Sequence, residues 1–163
     1  MIDFSYPYDL ENSLANLQIE LAKKIIKEDV PGNLHRIAGV DVSFSRGDNA
    51  VSAAVVVDLN SLEILEEATR EVKLFFQYAP GFLGFREANA MVSVLNDLKS
   101  RFDVIMVNGH GAMHPRGFGL ASQVGVMMDM PTIGLAKRLI AGNHIKWDRS
   151  SFNKEASSMV FME

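Results

Sequence analysis

The sequence predicts an α/β fold in which one mixed β-sheet, partly antiparallel and partly parallel, is flanked by helices. Three segments of strand character follow one another between residues 36 and 72, separated only by short turns. Helical and short apolar segments then alternate between residues 85 and 141. A chain of 163 residues, 48% of them hydrophobic, has the size and composition of one globular domain, and we expect residues 1–163 to form it.

The first predicted elements are a helix and three antiparallel strands. A helix that should end before Pro31-Gly32 is predicted by apolar residues at three- and four-residue spacing. These residues are Leu14, Leu17, Leu21, Ala22 and Ile25. Small and β-branched residues predict strands over residues 36–44, 50–59 and 62–72. Turn residues at positions 45–49 and 60–61 keep both connections short, so the three strands should form an antiparallel meander.

The second half of the predicted fold alternates helices with short buried strands. Periodic apolar residues predict a helix over residues 85–98 that stops near Ser100. The runs DVIMV (103–107) and PTIGL (131–135) are typical of strands buried on both faces. Between them lie the glycine-rich loop NGHGAMHPRGFG and a helix over residues 120–128, and a last helix is predicted over residues 136–141. A mixed sheet flanked by helices in this way is the arrangement of ribonuclease H-like folds.

The charge of the chain limits how it can contact a partner. A formal net charge of −4 argues against nucleic-acid binding through a spread-out basic surface, so any such contact must be local. Three short basic groupings are either solvated faces or phosphate contacts: Lys23-Lys24-Lys27, His114-Arg116 and Lys137-Arg138.

Cysteine usage and hydropathy indicate the compartment. The absence of cysteine excludes disulfides and thiolate metal sites and fits a reducing cytoplasm. No apolar run approaches the roughly 18 residues of a membrane span. The N-terminus carries Asp3, Asp9 and Glu11 and lacks the basic flank of a signal peptide. We therefore expect a soluble, cytoplasmic protein with no membrane partner.

Asp41 is the first residue whose position suggests chemistry. It lies inside the first predicted strand, on one face with Ile37, Gly39 and Ser43. Aspartate is disfavoured in strands and costly to bury unless it is paired or bound to a cation. Two explanations have equal weight, a buried ion pair with Arg36 or Lys137 and a metal ligand.

Four further residues have both a structural and a chemical interpretation. Glu87 falls in the first turn of the second predicted helix, where the helix dipole favours a carboxylate. Asn108 ends the DVIMV strand and either forms a turn before Gly109 or lies at a ligand site, because the carboxyl ends of parallel strands hold such sites. His114 lies in a loop whose four glycines either connect elements or allow close approach to a ligand. Lys137 follows the PTIGL strand and should emerge at the same edge.

The convergence of these residues is more informative than any one of them. Separate patterns place Asn108, His114 and Lys137 at one edge of the sheet. An acidic pair with a nearby histidine and lysine, and without cysteine, suits a hard cation such as Mg²⁺ or Mn²⁺ that takes its remaining oxygens from phosphate and water. Phosphodiester hydrolysis is the natural inference. An α/β scaffold that holds a small phosphate in the glycine-rich loop is a remaining alternative.

Four motifs resemble the endonuclease V family in their order and spacing. They are AGVDVSF around Asp41, YAPGFLGFRE from Tyr78 to Glu87, NGHGAMHPRGFGLAS and MPTIGLAK. The resemblance extends from the first helix to about Gly142. It implies a ribonuclease H-like fold and Mg²⁺-dependent hydrolysis, with Mn²⁺ as a substitute, on the 3′ side of a deaminated purine in DNA or RNA.

The resemblance also implies the role of each candidate residue. Asp41 and Glu87 would be metal ligands, and Asn108 occupies the place of a third acidic ligand. His114 would position water or substrate, and Lys137 would bind phosphate or stabilise developing charge.

A base-extruding wedge and a base pocket belong to the same resemblance. The wedge corresponds to Tyr78 to Pro80, which would enter the strand beside a displaced base. Tyr78 is otherwise an ordinary half-buried aromatic. The pocket would include Gly81, Leu83, Gly109 and Leu120.

This chain departs from the family pattern at three places. Asn108-Gly109 stands where the family usually has Asp-Gly, which removes one negative charge from a cation site. The family continues with further strands and a helix bearing another acidic residue, whereas Met159 to Met162 resemble the start of a strand near the end of this chain. Gln77 replaces a proline. Two functions follow as alternatives, an endonuclease V-type nuclease acting as a monomer and a domain that binds deaminated or single-stranded nucleic acid without cutting it.

Overall fold

A computed structural model of the chain describes residues 8–28, 32–44 and 48–137. Within these ranges the chain forms three helices and five strands. The helices are α1 (Tyr8–Ala22), α2 (Leu83–Leu95) and α3 (Leu120–Met128). The strands are β1 (Arg36–Phe44), β2 (Asn49–Asp58), β3 (Ile64–Lys73), β4 (Val104–Asn108) and β5 (Thr132–Leu135).

The five strands form one mixed sheet in the order β3-β2-β1-β4-β5. β1, β2 and β3 pair antiparallel, which confirms the predicted meander. β4 pairs parallel with β1, and β5 pairs parallel with β4. The crossovers through α2 and α3 follow from this pairing, because a parallel strand cannot be reached through a hairpin. The α/β prediction with both kinds of pairing is therefore confirmed.

Helix α2 covers the sheet face that carries the core. Alternation along β1 buries Ala38, Val40 and Val42, and the antiparallel register places Val56, Ala54 and Ser52 of β2 beside them on the same face. The buried side of α2 packs against this face through residues that include Ala88, Met91, Val94 and Leu95. Full burial of a side chain of this size is worth about 1.5–3 kcal/mol. The packing fixes the rotation of α2 and hence the position of its first turns.

The first helix differs from its prediction. It begins earlier, at Tyr8, and ends at Ala22 instead of continuing towards Pro31. Leu17, which was placed on the apolar stripe, is 45% exposed, whereas the polar neighbour Gln18 is only 1% exposed. The buried stripe of α1 therefore contains an amide, and its partners lie in loops described below.

Other boundaries move by one to three residues. Helix α2 begins two residues before the predicted start and ends at Leu95, while β1 and α3 have the predicted bounds. Ala136 and Lys137 are not helical. Residues 45–47 of the predicted hairpin loop, residues 138–141 of the predicted last helix, and Asp3, Arg138 and the C-terminal residues 142–163 lie outside the described residues. Among the described helices none is long and apolar enough to cross a bilayer.

Close backbone packing at the β4–β5 edge gives a first testable prediction. A Cβ added to Gly134 would lie 2.6 Å from the Gly109 carbonyl oxygen and 2.9 Å from the Gly111 nitrogen, so backbone must move. Gly134→Ala should lower the free energy of unfolding by about 1–3 kcal/mol, measured by urea denaturation. Gly39→Ala is the matched control, because its Cβ meets only Val55 Cγ1 at 3.5 Å. It should be neutral or stabilising, and equal losses from both variants would contradict the prediction.

Candidate active site

Candidate residues lie together where the parallel pairing of β1 with β4 ends and where β4 and β5 themselves end. The last registered pair of β1 and β4 is Val40 with Val107, so the next residues, Asp41 and Asn108, follow side by side. Asn108 is itself in register with Leu135 of β5. Asp41 and Asn108 are both exposed. Two residues that stand 67 positions apart in the sequence thus meet where α/β folds place ligand sites.

Asp41 has no cationic partner among the described residues. Its Oδ1 accepts a hydrogen bond from the backbone N–H of Val42 at 2.8 Å. The ion pairs found in this part of the chain are Lys23–Glu20 and Arg70–Asp97. Arg36 lies at the opposite end of β1. Of the two alternatives for Asp41, the ion pair with Arg36 or Lys137 is therefore not observed among the described residues, and the metal-ligand interpretation stays a prediction.

Glu87 is a buried carboxylate whose pKa is strongly raised. It is 5% exposed, and burial together with the nearby charge of Asp41 raises its pKa from 4.5 to about 7, against a smaller lowering by Arg86. Helix α2 begins at Leu83, so Glu87 lies beyond the first turn, and the helix-dipole explanation of this residue is wrong. Two ionised carboxylates that repel each other, one of them in a dry environment, are an unfavourable pair unless a cation lies between them or one of them holds a proton.

The donor set suits a hard divalent cation but is small. Asp41 and Glu87 contribute carboxylate oxygens, and Asn108 contributes an amide oxygen at the same edge. Oxygen ligands of this kind suit Mg²⁺ and Mn²⁺. Within residues 8–28, 32–44 and 48–137, no group of three or more His, Cys, Asp or Glu side chains is suited to a metal ion. The types of donor therefore fit a hard cation, but the described residues supply two carboxylates, one fewer than a three-acid site.

His114 lies buried in the glycine-rich loop. Burial, with a contribution from the positive charge of Arg116, lowers its pKa, while a hydrogen bond to the Gly81 backbone opposes this shift. The backbone N–H of Arg116 lies 3.3 Å from Nδ1, which accepts the hydrogen bond. The imidazole is therefore neutral at pH 7, with its proton assigned to Nε2.

Tyr78 is exposed to solvent at the start of a segment whose following residues are anchored. Tyr78 is 67% exposed, whereas Ala79 and Phe82 are buried and hold the segment to the body of the protein. Pro80 is exposed between them. The ordinary half-buried aromatic is therefore not observed, and the assignment of Tyr78 as a wedge stays a prediction.

Of the four predicted pocket residues, Gly109 and Leu120 contact each other, whereas Gly81 and Leu83 have other neighbours. Gly109 and Leu120 touch, since a Cβ on Gly109 would lie 2.9 Å from Leu120 Cδ2. Gly81 has a φ of 79° and lies against the guanidinium of Arg116, whose Nη2 donates to its carbonyl oxygen at 2.6 Å. Leu83 is partly buried against the core.

Three further residues near the candidate site are Lys137, Arg116 and Gln18. Lys137 is exposed and lies two residues beyond Leu135, at the carboxyl edge of β5. The sequence analysis considered Arg116 only as part of a solvated face or phosphate contact and assigned no function to Gln18, yet both bind the Gly81 carbonyl oxygen. The signal for Gln18 was present in the sequence, because a glutamine stands on the face of α1 shared by Leu14 and Leu21.

Comparison with known proteins decides the family. The family model described as Endonuclease V matches residues 19–162, most of the chain. This chain belongs to the endonuclease V family. The endonuclease V of Roseiflexus sp. (strain RS-1) is 41% identical over 142 residues, which cover 87% of this chain and 63% of the relative. That of Dictyoglomus thermophilum is 41% identical over 133 residues and is covered to 58%.

Solved endonuclease V structures have the same fold. The catalytic domain of human endonuclease V superimposes with a TM-score of 0.77 at 33% identity, covering 83% of this chain and 61% of the human one. Endonuclease V of Ciona intestinalis, in complex with a 24mer DNA containing an inosine followed by a ribo-adenosine, gives a TM-score of 0.77 at 30% identity and is covered to 64%. The ribonuclease H-like fold is thereby confirmed, and the chain spans less than two thirds of the relatives it matches.

The raised pKa of Glu87 predicts how stability depends on pH. In metal-free buffer the folded chain holds a proton on Glu87 that the unfolded chain releases, so the free energy of unfolding falls as pH rises from about 4.5 to about 7. Glu87→Gln should remove this fall, which urea denaturation across that range would measure.

Glu66→Gln is the matched control for this measurement. Backbone N–H groups of Lys99 and Ser100 lower the pKa of Glu66, so its contribution is present above the ordinary glutamate range and is lost as pH falls. The control should therefore retain the fall towards pH 7. An unchanged slope in Glu87→Gln would show that Glu87 is already ionised at lower pH.

Proposed function

We propose that this chain is an endonuclease V-type nuclease, dependent on Mg²⁺ with Mn²⁺ as a substitute, that hydrolyses a phosphodiester 3′ to a deaminated purine in DNA or RNA. The observation that carries the proposal is the buried Glu87, whose pKa is raised to about 7 by burial and by the charge of Asp41. Perturbed carboxylates of this kind are concentrated at functional sites. The Ciona relative in complex with inosine-containing DNA supports the choice of substrate.

The cation would be held by Asp41, Glu87 and the amide oxygen of Asn108. When bound, it supplies a Lewis acid that lowers the pKa of water and neutralises charge on the phosphate. At pH 7 Glu87 is only partly ionised without a cation, so proton and cation compete for the same carboxylate. Cleavage should therefore rise with pH through this range.

The remaining residues orient the substrate and balance its charge. His114 is neutral and adds no charge, and both its ring nitrogens are engaged, with the Arg116 N–H and with the Gly81 backbone. Its proposed role of positioning water or substrate therefore requires one of these hydrogen bonds to be exchanged for one to water or a phosphate oxygen. Lys137 is exposed at the edge of the sheet. There its positively charged ammonium group would stabilise negative charge on the phosphate. Tyr78 would enter the strand beside the target base, and Gly81, Leu83, Gly109 and Leu120 would line the space that receives it.

A binding function without cleavage is the second candidate, and Asn108 is the observation that favours it. An amide in place of a carboxylate leaves the cation one negative charge short. Loss of even an outer-shell partner reduces metal affinity by roughly 10–100-fold, and a direct ligand should matter at least as much. The wedge and pocket residues do not depend on this charge.

The proposal predicts that Asn108→Asp raises cleavage of an inosine-containing strand. The substitution restores the charge that binds the cation, and we expect a gain of at least roughly tenfold with Mg²⁺. Cleavage is measured on labelled strands that contain inosine or adenosine at one position. If Asn108→Asp is folded, binds the inosine strand and is as inert as the parent, the binding function replaces the nuclease function.

Deamidation is the main control for that assay. Asn108 precedes Gly109, a context in which asparagine converts readily to aspartate. Fresh and aged parent protein are therefore compared and checked by mass. Activity that appears only in aged parent protein and matches its converted fraction would support the predicted gain from Asn108→Asp.

The wedge assignment predicts a selective effect of Tyr78→Ala. Binding to an inosine strand should weaken more than binding to an unmodified strand, because a wedge contributes only where a base is extruded and captured. Phe75→Ala is the matched control, since Phe75 is also an exposed aromatic and lies outside the wedge. It should affect both strands equally. Equal losses for Tyr78→Ala would reduce that ring to a stacking platform, worth about 1–3 kcal/mol per base.

A further inference from the structure

Gln18 is an amide buried among groups from distant parts of the chain. It lies on α1 and is 1% exposed. Its Nε2 donates to the carbonyl oxygens of Gly81 and Phe118, each at 3.1 Å. Its Oε1 accepts from Arg116 Nε at 2.6 Å. Three of the four hydrogen-bonding positions of one amide are thus used on loop residues 63 to 100 positions away.

The Gly81 carbonyl oxygen is the point where these contacts meet. It accepts from Gln18 Nε2 and from Arg116 Nη2, the latter at 2.6 Å. The guanidinium of Arg116 also stacks on the Phe82 ring, with its central carbon 4.5 Å from the ring centroid. Arg116 therefore binds both the segment that follows Tyr78 and the helix that braces it.

The packing around Gly81 leaves the backbone there little freedom to move. Gly81 has a φ of 79°, and an added Cβ would lie 2.7 Å from Arg116 Nη2. Ala22, one turn after Gln18 on α1, lies beside Gly117. Helix α1 thus contacts both loops along one face.

Two surfaces of the candidate site depend on the distance between these loops. The loop at Gly81 directly follows the exposed Tyr78 and Pro80. The loop at Phe118 leads into Leu120, which touches Gly109. A change in the spacing of the loops changes the spacing of wedge and pocket.

We infer that Gln18 is a positioning residue that holds the wedge segment and the glycine-rich loop at one fixed separation and thereby sets selectivity for a deaminated purine. The selectivity part rests on the proposed function. The positioning part does not, because it concerns the order of the two loops in the protein alone.

The test uses Gln18→Met, which keeps the size of the side chain and removes all three hydrogen bonds. Hydrogen exchange is followed at the loop amides of Phe82, Gly117 and Gly119, each of which donates to a backbone carbonyl within its own loop region. Exchange there should rise roughly tenfold, as expected for the loss of about one net hydrogen bond. Amides of β1 and β4 should be unchanged.

Two variants keep the test decisive. Gln18→Glu retains the acceptor for Arg116 and loses both donors, so it should reproduce the loop opening if Gln18→Met does not fold. Gln123→Met is the matched control, because Gln123 is a half-buried helical amide whose Oε1 accepts no hydrogen bond within the described residues. It should leave exchange at the loops unchanged.

The second measurement is the ratio of Kd values for an adenosine strand and a matched inosine strand. In Gln18→Met this ratio should fall roughly tenfold relative to the parent. Unchanged loop exchange, or a uniform rise that includes β4, would overturn the positioning role. Loop opening with an unchanged ratio would overturn the selectivity role. A parent that does not distinguish the two strands would refute the proposed function, and loop exchange alone would then decide the role of Gln18.

Discussion

The parallel pairing of β1 with β4 is the constraint on which the candidate site depends. Its register pairs Val40 with Val107, and the polar residues that follow, Asp41 and Asn108, are therefore neighbours. A slip of one residue would turn each side chain to the opposite face of the sheet. The pairing of β4 with β5 continues the same edge, so the loops that leave these strands emerge together. Helix α2 packs on the sheet face that carries Ala38, Val40 and Val42. It brings Glu87 close enough for the charge of Asp41 to act on it.

Carboxylates in this fold serve two purposes that their pKa values distinguish. Asp103 accepts the backbone N–H groups of His35 and Arg36, and Glu66 accepts those of Lys99 and Ser100. These hydrogen bonds lower the pKa of each carboxyl, so the ionised group stabilises the fold. Glu87 has the opposite shift. Packing alone would favour an apolar residue at this position, so a buried acid whose ionised form opposes folding supports the functional role proposed for Glu87.

Local sequence patterns predicted the fold well, because the residue periodicity of most segments matches the helix or strand that they form. β1 and α3 have their predicted bounds, since alternation and periodicity are strong there. The position of Glu87 in α2 was misjudged, because the helix begins at Leu83 without a side-chain cap to mark its start. The meeting of Asp41 with Asn108 was open to prediction from the carboxyl-edge rule. The partners of Gln18 were not, since contacts across 63 to 100 residues leave no trace in local periodicity.

The two halves of the candidate site are built from different interactions, and this makes them separable. The proposed metal half would rest on the charges of Asp41 and Glu87, and an amide at Asn108 in place of a carboxylate would weaken it directly. The other half rests on hydrogen bonds of Gln18 and Arg116 to the Gly81 carbonyl oxygen, which involve no titrating acid. A change of charge at the sheet edge leaves those hydrogen bonds in place. In the proposed site, affinity for the cation can therefore fall while the loops that would hold a displaced base remain ordered.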